Sequence, residues 1–167
     1  MRFDRSIVPL VLLILGLCGG SLPLWGQDPA PAEPSTEVEP PPVHEELKRI
    51  AEQVALPELS GDHPFILRES NWSGQVEPGK ARLIQVQLFK RNEYSFWFVV
   101  PDRKAGLNLS LYNGKGELVE GTNRKYETPN IVSLMTSAGE TGIYYLRISM
   151  QTTAERPQPW TVIYAYR

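Results

Sequence analysis

One cysteine, two histidines and almost no net charge stand in a chain of 167 residues. Each scarcity excludes a class of function. With Cys18 alone, neither an intramolecular disulfide nor a cysteine-rich metal site can form. Serine nucleophiles need a general base, usually a histidine held by a third group. His44 and His63 are the only imidazoles, one at the start of a short helical pattern and one in a connection, and both are expected to be solvent-facing. Pairs such as Glu117 and Glu120 fall on short strands, where carboxylates are ordinary surface charges. No spacing of His with Cys, Asp or Glu matches a ligand set. The expectation is a protein with no catalytic residue, no metal ligand and no cofactor. The formal charge of −2 divides into +1 over residues 1–26, −5 over 27–56 and +2 over 57–167. The small basic excess is spread along its segment, so the stripe that nucleic-acid binding requires is missing.

Long apolar runs are also missing. The longest, Ile7 to Leu17, has eleven residues, too few to span a bilayer as a helix. Preceded by Arg2 and Arg5, it reads as an export signal over residues 1–26. Small residues near Gly26 suit cleavage that leaves Gln27 as the new terminus and a mature protein without thiols. Cys18 offers the alternative of a lipidated anchor, although Leu17 rather than a small residue precedes it. The expected location is therefore periplasmic or extracellular, with membrane attachment only if Cys18 is lipidated.

What is present is proline, then helix, then strand. Residues 27–43 hold six prolines and four acidic residues, a composition that cannot bury enough apolar surface to order itself and reads as a disordered linker. Over residues 44–56, Leu47, Ile50, Ala51, Val54 and Ala55 recur at three-and-four spacing, which predicts one short amphipathic helix. Its mixed charges favour packing on the protein over packing on a membrane.

From Trp72 onward the period becomes two. Ile84, Val86 and Leu88 alternate with Gln85 and Gln87. Over Glu93 to Val100 both faces are apolar, which predicts a central strand. Leu107, Leu109 and Leu111 alternate with Asn108, Ser110 and Tyr112. Asn113-Gly114 then predicts a type I′ hairpin turn into a strand at 117–121, followed by a polar connection through Asn123 and Lys125. Strands at 131–136, along Tyr144 to Met150 and along Trp160 to Tyr166 complete about eight. Regular turns and the near absence of helix predict an all-β, antiparallel two-sheet β-sandwich, jelly-roll-like, over residues 57–167.

Four segments carry a family likeness: Gly74-Gln-Val, Tyr94-Ser-Phe-Trp-Phe, Leu109-Ser-Leu-Tyr before a glycine turn, and Thr141-Gly-Ile-Tyr-Tyr-Leu-Arg-Ile. In order and spacing they resemble the bacterial pre-peptidase C-terminal domain, over roughly residues 71–166. The resemblance implies a secreted β-sandwich that accompanies exported peptidases and other envelope enzymes. Some members bind calcium at an aspartate-containing turn; Asn113, with Lys115 close by, occupies that place here and weakens the case for a cation. For binding, the candidates are the aromatics opposite the assigned core positions, Trp97, Tyr112 and Tyr145, since exposed rings stack on sugars or anchor a protein. The expected function is a non-catalytic accessory module contacting an envelope protein or a polysaccharide. The alternative is a chaperone-like helper in folding or secretion of a partner enzyme.

Overall fold

The computed structural model describes residues 42–127 and 130–167. The expected signal segment, Cys18 and all of the linker before Pro42 lie outside them. The described chain opens on Pro42, which sets up the helix that follows. Pro42 holds φ −50° and ψ 140°, and its carbonyl accepts the N–H groups of Glu45 (2.9 Å) and Glu46 (3.2 Å). Helix α1 runs over Val43–Leu59 with Glu45 and Glu46 in its first turn, where negative charge offsets the helix dipole. It extends three residues past the expected end, through Pro57. Proline removes one amide hydrogen and crowds the preceding turn, but the Ser60 hydroxyl donates to the Leu56 carbonyl at 2.6 Å and Leu59 packs into the core.

Nine strands follow: β1 (Ile66–Leu67), β2 (Trp72–Val76), β3 (Ala81–Leu88), β4 (Glu93–Val99), β5 (Gly106–Tyr112), β6 (Gly121–Tyr126), β7 (Ile131–Ser137), β8 (Gly142–Gln151) and β9 (Gln158–Tyr166). They build two antiparallel sheets, an all-β sandwich as the alternating pattern predicts. The larger has the order β1-β9-β4-β7-β6, with β2 also paired to β9; the smaller has the order β3-β8-β5. Period two does the sorting. Phe96 and Phe98 of β4, Val162 of β9 and Leu134 of β7 meet Val86, Leu109, Leu146 and Ile148 of the small sheet in the inter-sheet core. Each such side chain removed from water stabilises the fold by about 1.5–3 kcal/mol.

Strand β4 is central, flanked by β9 and β7, and its second apolar face supports a second core. Trp97 and Val99, with Ile131, Ile163 and Ala165, pack under the helix face of Leu47, Ala51 and Ala55. Alanine at two of the three buried helix positions lets the helix lie close to the sheet. This layer corrects one of the binding candidates: Trp97 is 0% exposed, because α1 covers its face of the sheet. His44 departs from expectation as well. It is half-buried at the helix start, and its Nδ1 is buried without a hydrogen-bond partner.

The segment after β5 also differs. Of the expected strand at 117–121, residues 117–120 form no strand, Leu118 only bridges Tyr112, and Gly121 opens β6. Strand β6 instead occupies the expected polar connection. Five of its six residues are exposed and the sixth, Tyr126, is half-buried, so it has no apolar alternation to betray it. It pairs only with β7, and Arg124 and Lys125 place charge on this sheet edge, which discourages pairing with another chain. The turn before it is not type I′. Gly116, not Gly114, has positive φ (81°), and its N–H donates to the Asn113 carbonyl at 2.9 Å. The Asn113 side chain holds this four-residue turn by accepting the N–H groups of Lys115 and Glu117, each at 3.0 Å.

Candidate binding face and cleft

The small sheet has one face in the core and one in water. Outward residues of β3, β8 and β5 are all exposed or half-buried. Among the described residues no helix covers them as α1 covers the large sheet. Register places Tyr145 in β8 directly opposite both Gln85 in β3 and Tyr112 in β5. The three side chains form a row across the sheet, an amide followed by two phenol rings. Tyr112 and Tyr145 are both half-buried, and side chains opposite one another on such a face stand within about 5.5 Å at Cβ. The next row is Leu83, Arg147 and Ser110. Leu83 is 65% exposed and Ile143, one pair further along β8, is 38% exposed. The structure thus brings Tyr112 and Tyr145 together and places Trp97 on the other sheet, beneath α1.

A cleft of about 480 Å³ opens beside this face, between edge strand β3 and the β1-β2 side of the large sheet. Its position follows from how β9 is flanked. Strand β1 pairs with Ala165 and Tyr166, while β2 pairs only as far as Val162. Between them the Arg68 N–H donates to the Tyr164 carbonyl at 3.0 Å, which fixes Arg68 at the rim. One wall is an aromatic stack running from the mouth to the core. Trp72 lies 4.9 Å from Tyr164 at an interplanar angle of 26°, and Tyr164 lies 5.7 Å from Phe96 at 13°. The Arg68 guanidinium stands 5.7 Å from the centre of the Tyr166 ring, within cation–π range. Hydrogen bonding with Tyr164, and then charge attraction and the same interactions with Tyr166, raises the Arg68 pKa above its usual value.

Gln85, Val86 and Gln87 of β3 form the facing wall. As an edge strand, β3 turns the N–H and C=O groups of alternate residues away from β8 and toward the cleft. Deeper in, the Tyr94 hydroxyl accepts the Phe89 N–H at 2.7 Å. The cleft therefore offers flat rings, amides and one cation in a partly enclosed space, an arrangement suited to holding a small polar ring system.

Arg68 carried no distinguishing pattern in the sequence, because it lies beside a strand of two residues, and Trp72 opened a period-two segment that said nothing of a cleft. Tyr164 and Tyr166 did carry a signal. They end an inward-facing series that begins with Trp160 and Val162, and tyrosine at the end of such a series marks where a core meets water. Among the described residues, no group of three or more His, Cys, Asp or Glu is placed to hold a metal ion. No helix among them is long and apolar enough to cross a membrane. No protein-family model matches the chain, and no curated protein does.

Proposed function

We propose that this protein is an exported, non-catalytic binding module whose sandwich contacts a polysaccharide through the outer face of the small sheet. One observation carries the proposal: Tyr112 and Tyr145 stand side by side on an uncovered face, with Gln85 beside them in the same row. Paired rings offer apolar platforms to the faces of sugar rings, and the amide supplies a donor and an acceptor for hydroxyl groups. Export rests on the basic and apolar pattern of residues 1–17, and the resemblance to a sandwich domain of secreted enzymes agrees with an accessory role. Fold alone supports no particular ligand.

The test is retention of the purified chain on immobilised polysaccharides, neutral and acidic. Tyr145→Ala should abolish retention while the thermal transition stays in place, since the ring projects away from the core. Retention unchanged in both Tyr145→Ala and Tyr112→Ala would sink the proposal. A second reading, an envelope protein as partner, is favoured by the exposure of Leu83 and Ile143 on the same face. It predicts capture of one stoichiometric protein, lost in Leu83→Asp.

A further inference from the structure

We propose that the cleft beside β3 is a subsite for a carboxylated sugar, so that the polymer bound is an acidic polysaccharide. The inference rests on the polysaccharide reading above and gives the polymer its charge. Among the described residues Arg68 is the only charged one that lines the cleft. Among the described residues it belongs to no ion pair, since each such pair involves other side chains. A guanidinium at the rim of an aromatic cleft, its own backbone held by β9 and, among the described residues, in no salt bridge with a carboxylate, presents its planar fork to an incoming one. The Trp72 and Tyr164 rings supply the flat wall against which the same sugar unit rests.

Charge on the adjoining sheet points the same way. The outward positions of β3, β5 and β8 carry Arg147 and no aspartate or glutamate, while Arg82 lies on the other side of β3, opposite core residue Ile148. A polyanion lying across these outward positions meets no carboxylate on the three strands. Gln85 links the two parts of the site: it lines the cleft and is also the register partner of Tyr145. A polymer leaving the cleft across β3 meets Tyr145 and then Tyr112 within two strand spacings, about 10 Å. That span suits a short run of sugar units. One outward arginine on three strands, with Arg68 at the cleft, is too few for the phosphate ladder of a nucleic acid, which favours the carboxylated glycan.

Binding of the full chain to polygalacturonate and to its methyl-esterified form separates charge from backbone, because the two polymers share every ring and differ in the carboxylate. The wild type should bind the acid form about tenfold or more tightly than the ester, the effect of one charge-assisted bidentate contact. Arg68→Gln should remove that difference and leave ester binding in place. Arg68→Lys should keep part of it, and Tyr145→Ala should weaken both forms. Equal affinity for acid and ester, or an Arg68→Gln variant indistinguishable from wild type, would overturn the carboxylate subsite while leaving the polysaccharide function standing. Binding to neither polymer, nor to alginate, hyaluronate or amylose, would overturn both. Single-stranded DNA competing as well as polygalacturonate would also overturn the subsite, since it would show general attraction to polyanions. Arg68 is exposed, so its variants should keep the wild-type thermal transition; if Arg68→Gln does not, the Arg68→Lys comparison decides.

Discussion

Truncating Leu47 to alanine tests whether helix α1 is part of the folded unit or an ornament on it. Leu47 is 2% exposed, and the second core around it includes Ala51, Ala55, Trp97 and Ile163. The other two buried helix residues, Ala51 and Ala55, are too short to reach into the void, and Ile50 and Val54 pack only at the edge of this core. Trp97 and Ile163 lie on strands whose opposite face is locked in the inter-sheet core, so the sheet cannot rise to meet the helix either. A site that collapses poorly falls in the upper part of the range for such truncations, about 3–4 kcal/mol. For a domain of this size that corresponds to a fall in Tm of roughly 10–20 °C. Calorimetry, with far- and near-ultraviolet circular dichroism recorded on the same samples, would measure it. If helix and sheets unfold together, the two spectroscopic transitions coincide and move down together. A fall of less than about 3 °C, the size expected of a surface change, would refute the reasoning. It would mean that α1 docks weakly and that the sandwich stands without it. Leu118→Ala is the control, because Leu118 is 65% exposed and its loss should change stability by about 0.5 kcal/mol or less.

Gly121→Ala should destabilise the β6-β7 pairing by about 1–3 kcal/mol, measurable in urea unfolding. The added methyl would meet Leu134 Cδ1 and the Met135 carbonyl oxygen at 2.7 Å each; full wild-type stability would show that the edge strand shifts freely. The Asp102 carboxylate accepts the Thr152 hydroxyl and the Lys104 N–H, in that order of effect, and both hold its pKa below the ordinary 3.8. A depressed folded-state pKa gives stability that is complete above that ordinary value and is lost as pH falls through the lower one. Asp102→Asn should therefore be less stable than wild type at pH 7 and approach it as the pH falls below 3.8; parallel pH curves would contradict this. Trp97→Ala should lower stability by about 3–5 kcal/mol, whereas Tyr145→Ala should leave it near wild type; equal losses in thermal unfolding would mean that Tyr145 is part of the core.

The strands that the sequence declared are those with one wet face or two dry ones. Strand β3 alternates because one side meets water, and β4 is apolar on both sides because a second layer lies over it. Strand β6 left no trace, since as an edge strand it is fixed by hydrogen bonds to β7 more than by burial. Strand β1, two residues long, is too short for any period. The hairpin after β5 shows a different limit. Asn113-Gly114 carries the composition of a type I′ turn, but the glycine two residues on takes the positive φ, and the Asn113 side chain then bonds the turn from within. Composition marked the turn and did not choose among its geometries.

The three aromatic candidates separate for one physical reason. On a strand, position parity says which face a ring occupies and says nothing about what lies over that face. Trp97, Tyr112 and Tyr145 all stand opposite core positions by parity. Trp97 is dry because the amphipathic helix, itself legible as Leu47, Ile50, Ala51, Val54 and Ala55, rests on its sheet; the tyrosines remain half-exposed because, among the described residues, the other sheet has no such cover. Both halves of that outcome were written in the chain, the helix and the strand each in its own period, but their pairing is a tertiary fact. The same holds for the cleft. Arg68, Trp72 and Gln85 belong to three separate segments, and only the register of β2 and β1 on β9, with β3 facing them from the other sheet, brings a cation, a ring and an amide around one space. A site assembled across two sheets leaves no motif, so its discovery depends on topology first and on residue chemistry second.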